Sequence, residues 1–356
     1  MITGNKGEWS ELYALLRLLA YGRLYAADDS VKKIDNIYFP VKKIIREEVK
    51  NQKTEYKIAS EQHIEVFYNN THIKNINRDK LGNEATYLYD QIKEGGSRAF
   101  AIKHTEEFMD EIMCNRLSAP SSDKTDITML LHDIQTGYEG IYGFSIKSEL
   151  GNAPTLLNAS GATNFIYEVI GITDEQMVLI NSLDNPKSKI IDRMKQIFTL
   201  GTVKFIGVKN DVFASNLMLI DSRMEELMGE FLLCYYRDNI SSCEDIIETL
   251  EDSNPLNFPK KGFYTFKFKK FLCSVALGMI PSKEWDGQDE ANGGYIIVSS
   301  DGDVLAYHIY NRDFFEKYLL KNTKLERGST SRHSFATLYK ENGKMYVNLN
   351  LQVRFK

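Results

Sequence analysis

The sequence lacks the features that mark several classes of protein. Its 356 residues include no uninterrupted apolar run of about 18 residues, the length that a membrane-spanning helix needs. The first residues, MITGNKGEWSEL, have neither the basic start nor the apolar stretch of a secretory signal. None of the four cysteines belongs to a CxxC pair. We therefore expect a cytoplasmic protein with no membrane segment and with reduced cysteines.

Several catalytic signatures are missing as well. The six histidines show no HExxH or other paired spacing, so a zinc site is not expected. There is no GxxxxGK[ST] loop and no GxSxG elbow. The net charge of −5 gives no overall basic surface for nucleic acid, although an acidic protein can still carry a basic cleft. Any nucleic-acid site must therefore come from local features.

The pattern of residues predicts a mixed α/β (α+β) protein. Trp9, Leu12, Leu16 and Leu19 share one stripe, which indicates an N-terminal helix that ends near Gly22. The last hundred residues, including KKGFYTFKFKKFLCSVAL, are predicted to be mainly strands. We place a boundary near residue 200, with a core in residues 1–200 and a second region in residues 201–356. A single domain is the alternative, since no linker marks the boundary.

The stretch TDITMLLHDIQTGYEGIYGFSIKSEL predicts a β-hairpin, residues 125–150. A turn centred between residues 137 and 138 would place Asp126 opposite residue 148 or 149, and a slip of one or two residues would bring it level with Lys147. Ser145, Lys147 and Glu149 would share one strand face. Asp133 is the alternative aspartate if the register differs.

An aspartate and a lysine that converge at a strand end suit phosphodiester hydrolysis. Carboxylates bind Mg²⁺ and leave water on the ion, and the ion polarises a phosphate and lowers the pKa of that water. The lysine can orient the water and offset negative charge. The alternative is a structural or interaction domain whose hairpin charges are only solvated.

The hairpin resembles the PD-(D/E)xK nuclease core. Thr125-Asp126 stands where that motif has Pro-Asp, and Ser145-Ile146-Lys147 stands where it has (D/E)-x-K. The resemblance implies a mixed sheet flanked by helices and Mg²⁺ bound by Asp126. Because a serine replaces the first acidic residue, the second carboxylate must be Glu149, Glu11 on the first helix, or Glu168.

Three segments are similar to the HpaII-type restriction endonucleases: NKGEWSELYALLRLL, GFSIKSELGNAPTLLNASGATNFIYEV and STSRHSFATLYKENGKMYVNLNLQVRF. The resemblance implies a prokaryotic type II enzyme that cuts double-stranded DNA at CCGG with Mg²⁺. It also implies a paired cytosine DNA methyltransferase, and the two-fold symmetric target makes a homodimer reasonable. The alternative function is a DNA-binding or repair protein of the same fold that does not cleave at a fixed site.

Two polar stretches could contact DNA. The amide and hydroxyl side chains that follow Lys147 can approach phosphates and base edges. Arginine side chains can form two hydrogen bonds to guanine. The candidates are Ser148, Asn158, Ser160, Thr163, Asn164, Arg327, Arg332 and His333. Ser160 or Thr163 could equally cap a helix.

Overall fold

A computed structural model describes residues 1–119, 125–134, 136–308, 312–328 and 335–356. The helices are α1 Lys6–Tyr21, α2 Arg78–Glu94, α3 Lys103–Glu111, α4 Asp174–Ser182, α5 Lys189–Leu200, α6 Asp211–Ile220, α7 Met224–Asp238, α8 Cys243–Ser253, α9 Phe263–Leu277 and α10 Arg312–Asn322. The strands of the first half are β1 Arg23–Ala27, β2 Lys33–Val49, β3 Gln52–Ile58, β4 His63–Tyr68, β5 Thr71–Asn77, β6 Ile127–His132, β7 Glu139–Ser148, β8 Thr155–Leu157 and β9 Asn164–Ile170. The remaining strands are β10 Thr202–Val208, β11 Gly294–Val298, β12 Val304–His308, β13 Thr323–Leu325, β14 Leu338–Glu341, β15 Lys344–Asn350 and β16 Val353–Phe355.

The chain divides into two compact units. The first contains Met1–Pro154 and Asp289–Phe315, and the second contains Thr155–Gln288 and Glu316–Lys356. This division differs from the predicted boundary near residue 200, because β11 and β12 return from the far end of the sequence to pair in the first unit. The assignment of a nuclease core and a DNA-recognition region to separate parts of the chain stays a prediction.

The first unit is built on one sheet of nine strands. Their order is β1-β12-β11-β7-β6-β2-β3-β4-β5, and β1 also pairs with β2, which closes a ring of six strands. The β1–β12 and β7–β11 pairs are parallel, and the other pairs are antiparallel. The parallel pairing matters for the site, since it gives β7 a neighbour that lies about 150 residues away in the sequence.

Helix α1 forms as the sequence predicts and supplies much of the first unit's core. Trp9, Leu12, Leu16 and Leu19 are all buried. The helix begins with a capping box between Asn5 and Glu8, and it ends at Gly22 with the left-handed backbone that glycine favours. The apolar stripe therefore fixes which face of α1 packs inward, and the two caps fix its length.

The predicted β6–β7 hairpin is present, but its register differs from the expected one. Ile127 pairs with Phe144, so Asp126 stands beside Ser145 rather than beside residues 147–149. The turn runs from Asp133, whose N–H donates to the Tyr138 carbonyl, and includes Gly137 with φ of +72°. The turn therefore lies earlier in the sequence than expected, which moves the partners of β6 by three or four residues.

The second unit holds two smaller sheets, β10-β9-β15-β14 and β13-β16-β8, and helices α4 to α9. The predicted final strands are present, but the strand predicted for residues 260–277 is wrong, because α9 occupies that segment. Tyr264, Phe268, Phe271 and Val275 recur at helical spacing and are buried. The alternation of Phe and Lys is a local feature of a longer helical pattern.

The mixed α and β class is confirmed by these elements. None of the helices in the described ranges is long and apolar enough to cross a membrane. The four cysteines are all buried, and no disulfide joins any of them in the described part of the chain.

Gly22→Ala is expected to lower the free energy of unfolding by about 1–2 kcal/mol. The backbone there has φ of +67°, and an added Cβ would stand 2.8 Å from Nη2 of Arg78. Urea unfolding measures the change. Gly96→Ala is the matched control, since an added Cβ meets nothing within 4 Å there. An equal loss of unfolding free energy in Gly22→Ala and Gly96→Ala would contradict the special role of Gly22.

Candidate active site

The carboxylate of Asp126 is held by strand β7. Its Oδ2 accepts a hydrogen bond of 2.6 Å from the Ile146 N–H and one of 3.0 Å from the Ser145 hydroxyl. The Asp126 N–H in turn donates to the Phe144 carbonyl at 2.8 Å. The end of the hairpin therefore fixes one carboxylate oxygen, and the sheet itself determines where this side chain points.

The amine of Lys147 lies in the same group of contacts. Its Nζ donates to Ser145 Oγ at 3.0 Å and to the Ile146 carbonyl at 3.2 Å. It also lies 5.5 Å from the centroid of the Tyr295 ring, which β11 places beside β7. Lys147 is thus folded back toward Asp126 by contacts with its own strand and its parallel neighbour.

Glu11 is the second carboxylate of the group. It projects from α1 and accepts a hydrogen bond of 3.3 Å from the Ala119 N–H. Burial, and after it the negative charge of Asp126, raise the pKa of Glu11 to about 8, although Lys147 and Arg46 act in the opposite direction. The residues of the site therefore include a partly buried carboxyl that holds a proton near neutral pH.

The other acidic candidates lie elsewhere. Glu149 points to the turn after β11, where its Oε2 accepts the Ser300 N–H at 3.0 Å. Glu168 belongs to the second unit and pairs with Lys344 at 3.1 Å. Asp133 forms the hairpin turn, where it accepts the Thr136 hydroxyl. Of the carboxylates predicted for the metal, Asp126 and Glu11 are the two that the structure brings together.

The donor set is small but suits a hard divalent ion. Asp126 and Glu11 supply carboxylate oxygens, and Mg²⁺ is commonly bound through one or two carboxylates with water and substrate phosphate completing the shell. In the ranges that the structure covers, no group of three or more His, Cys, Asp or Glu side chains could hold a metal ion. The residues present fit an ion that relies on water and DNA for its remaining ligands.

A cleft of about 750 Å³ lies beside the lysine. Its lining includes Glu11, Lys147, Ser97 and Asn152, together with the first turn of α1. Gly151 packs directly on that turn, where an added Cβ would stand 3.2 Å from Cβ of Lys6. A second cavity, of about 290 Å³, reaches Asp126 and Arg46. The charged groups are therefore accessible from open space in the first unit.

Comparison with known proteins decides the family. The model of the HpaII restriction endonuclease family matches residues 5–355. The type II restriction enzyme HpaII of Haemophilus parainfluenzae is 42% identical over 359 aligned residues, which cover 99% of this chain and 98% of that enzyme. This chain belongs to the HpaII restriction endonuclease family. No solved structure matches it.

Family membership confirms the predicted resemblance and the predicted class of enzyme. The HpaII-family protein is a type II restriction endonuclease, a site-specific deoxyribonuclease. The individual residue roles are not tested by the comparison. They rest on the geometry around Asp126, Ser145, Lys147 and Glu11, and they are taken up as proposals.

Four of the residues predicted to contact DNA form hydrogen bonds within this HpaII-family protein instead. Ser148 bonds to Ser10 of α1 at 2.8 Å between their hydroxyl oxygens. Ser160 caps the short 3₁₀ turn Gly161–Thr163, as the alternative interpretation expected. Thr163 and Asn164 are buried and accept hydrogen bonds from the Asn350 amide.

The remaining DNA candidates are placed as follows. Asn158 is exposed. Arg327 donates to Asn239 at 2.8 Å and lies 5.7 Å from the Tyr235 ring centroid in the second unit. Arg332 and His333 lie outside the described residues. Of this set, Asn158 is the described residue whose exposure leaves it most open to DNA.

Two residues near the site had no sequence signal. Tyr295 reaches Lys147 only because β11 pairs in parallel with β7. Arg46 is buried on β2, where its Nε pairs with Glu48 at 3.2 Å and its Nη2 donates to the Arg116 carbonyl at 2.9 Å. In the sequence, Arg46 looks like one more charge in a basic and acidic run. Only the tertiary structure shows that Tyr295 lies near Lys147 and that Arg46 lies near Glu11.

Glu11→Gln is expected to stabilise the metal-free protein increasingly as pH rises. The unfolded carboxyl loses its proton near its usual pKa of 4.5, whereas the folded one keeps it to about 8. The stability that wild type has below pH 4.5 is therefore lost as pH rises through 8, and glutamine avoids that loss. The difference in the free energy of unfolding between Glu11→Gln and wild type should therefore widen by about 1–3 kcal/mol between pH 5 and pH 8.5.

Denaturant unfolding in a chelator at the two pH values measures this gap. Glu149→Gln serves as the control, since it removes a carboxylate that lies one residue beyond the end of β7. A gap for Glu11→Gln that does not change with pH would contradict the buried state of this carboxyl. The same widening in Glu149→Gln would show that the effect is not specific to the site.

Proposed function

We propose that this HpaII-family enzyme hydrolyses double-stranded DNA at CCGG, with Mg²⁺ bound by Asp126 and Glu11 and with Lys147 acting on the attacking water. The observation that carries the proposal is the convergence of Asp126, Lys147 and Glu11 at one end of the hairpin. The target sequence follows from the similarity to the enzyme HpaII, and the metal follows from the class of enzyme.

The PD-(D/E)xK fold is part of the same proposal. A hairpin that begins one strand with an aspartate and carries Ser-Ile-Lys on the next supports it, as does a glutamate from the helix packed on the sheet. The ring of six strands is the feature of this chain that the motif alone does not predict. The catalytic residues would lie in the first unit, whichever part of the chain reads the bases.

Each residue has a defined part in hydrolysis. When bound, Mg²⁺ supplies a Lewis acid for the scissile phosphate and lowers the pKa of a coordinated water. Asp126 presents a carboxylate that the sheet has already oriented, which lowers the cost of ordering it. Lys147 donates to the water or to the phosphate and offsets charge that develops as the bond breaks.

Glu11 adds a pH-dependent component to the same site. Its carboxyl must lose a proton before it can bind a cation, since a ligating carboxylate is ionised. Because its pKa is raised to about 8 in the metal-free protein, Glu11 would have to release that proton when it bound the ion. Metal affinity should therefore rise with pH through this range.

The partners follow from the proposed activity. Duplex DNA is the substrate, and the cleft beside Lys147, with Ser97 and Asn152 on its lining, would receive the scissile strand. A cytosine DNA methyltransferase would protect the host genome in the prokaryotic cytoplasm. Two copies of the chain would act on the two strands of the symmetric site as a homodimer.

Asp126→Asn and Lys147→Ala are each expected to lower cleavage of a CCGG plasmid with Mg²⁺ by at least about 10³-fold, because each removes charge from the reacting centre. Fluorescence anisotropy with Ca²⁺ in place of Mg²⁺ measures DNA binding, which should persist. Plasmid methylated at CCGG is the substrate control. Full cutting by Lys147→Ala would contradict the proposed role of the lysine.

Glu11→Gln and Glu149→Gln separate the two glutamates. The first should lower the single-turnover rate by at least about 10²-fold, because it removes an oxygen ligand, whereas the second should lower it by less than about fivefold. The two changes are chemically identical and both lie in the first unit, Glu11 on α1 and Glu149 one residue beyond the end of β7. The reverse order of effects would assign the metal carboxylate to Glu149.

A further inference from the structure

Ser145 replaces an acidic residue of the nuclease motif, and its hydroxyl contacts both charged neighbours. The side chain is only 4% exposed. Its Oγ donates to Oδ2 of Asp126 at 3.0 Å and accepts from Nζ of Lys147 at 3.0 Å. A hydroxyl carries one donor hydrogen and two acceptor lone pairs, so both bonds can form at once.

A carboxylate at this position could not make the same pair of contacts. When ionised it only accepts hydrogen bonds, so it could bind Lys147 but could not donate to Asp126. Its charge would also oppose that of Asp126 at close range and would favour protonation of one of them. The serine therefore connects Asp126 to Lys147 through one hydroxyl group. A second carboxylate would bind Lys147 but repel Asp126.

Both hydrogen bonds to the Asp126 carboxylate reach the same oxygen. Oδ2 accepts from Ser145 and from the Ile146 N–H at 2.6 Å. In the described ranges no hydrogen bond reaches Oδ1. The bridge through Ser145 thus fixes the carboxylate by one oxygen and leaves the other for a cation.

The Lys147 ammonium group likewise uses only some of its hydrogen-bonding capacity. An ammonium group has three N–H donors. One is directed to Ser145 Oγ and one to the Ile146 carbonyl. One N–H thus stays available for a water or a phosphate oxygen, with the amine held in a fixed place by its own strand.

We infer that Ser145 is a positioning residue that couples the orientation of Lys147 to that of Asp126 and is not a metal ligand. This inference rests on the proposed function, and it explains how the chain acts with two carboxylates, Asp126 and Glu11. The group that replaces the third carboxylate is neutral and buried, and it acts through its neighbours.

Three variants test the inference. Ser145→Ala removes the bridge, and Ser145→Cys retains most of the side-chain volume but offers only a weak donor. Ser299→Ala is the matched control, since Ser299 is also 4% exposed and bonds to aspartates in a turn of the first unit. Three quantities are measured: the single-turnover rate with Mg²⁺, the Kd for a CCGG duplex with Ca²⁺, and Mn²⁺ binding to the DNA-free protein by electron paramagnetic resonance.

Both Ser145 variants should lower the rate by at least about tenfold, since misplacement of a reacting group by about 1 Å can cost about 100-fold. The Kd for DNA should stay within about twofold of wild type, and the Kd for Mn²⁺ within about threefold. Ser299→Ala should leave all three quantities near wild type. If Ser145→Ala does not fold, the rate of Ser145→Cys alone tests the role of Ser145.

Two outcomes would overturn the inference. A wild-type rate in Ser145→Cys would mean that the serine only fills space. Loss of Mn²⁺ binding as large as that in Asp126→Asn would mean that Ser145 is itself a ligand. If Asp126→Asn and Glu11→Gln leave Mn²⁺ binding unchanged, the proposed metal site fails, whatever the Ser145 variants do.

Discussion

The hydrogen bonds from strand β7 to the Asp126 carboxylate are the contact on which the rest of the candidate site depends. They exist only in the observed hairpin register, in which Ile127 pairs with Phe144. A shift of one residue would turn Ser145 and Lys147 to the opposite face of the sheet. The positive φ of Gly137 and the buried pair of Ile127 and Phe144 hold this register. The position of one carboxylate is therefore set by the packing of the whole first unit.

The site brings like charges together at an energetic cost. Glu11 is buried close enough to Asp126 for their charges to oppose each other, and its pKa of about 8 reflects both burial and that repulsion. Lys147 and the buried Arg46 offset part of the cost. In the proposed function this cost falls on the metal-free protein, and a bound cation would offset it, which is the common balance between stability and activity at functional sites. The well-packed helix α1 and the nine-stranded sheet supply the stability that tolerates it.

Sequence patterns predicted the parts of the fold and site that depend on near neighbours. The helix α1, its end at Gly22 and the β6–β7 hairpin follow from periodicity and turn chemistry, and all are present. The helix α9 was missed because Phe266 to Lys269 alternate over a span too short to separate a strand from a helix. The hairpin register was missed because a turn centre that is displaced by one or two residues shifts every partner by twice that amount.

By itself, the sequence determined the stripe that buries α1, the Ser-Ile-Lys strand and the resemblance to one endonuclease family that the comparison then confirmed. Tertiary structure alone decided that Glu11 lies beside Asp126 while Glu149 turns to Ser300, and that Tyr295 lies beside Lys147. The reason is physical. Periodicity reports which face of an element is apolar, whereas the meeting of α1, β7 and β11 depends on packing among segments that are far apart in the chain.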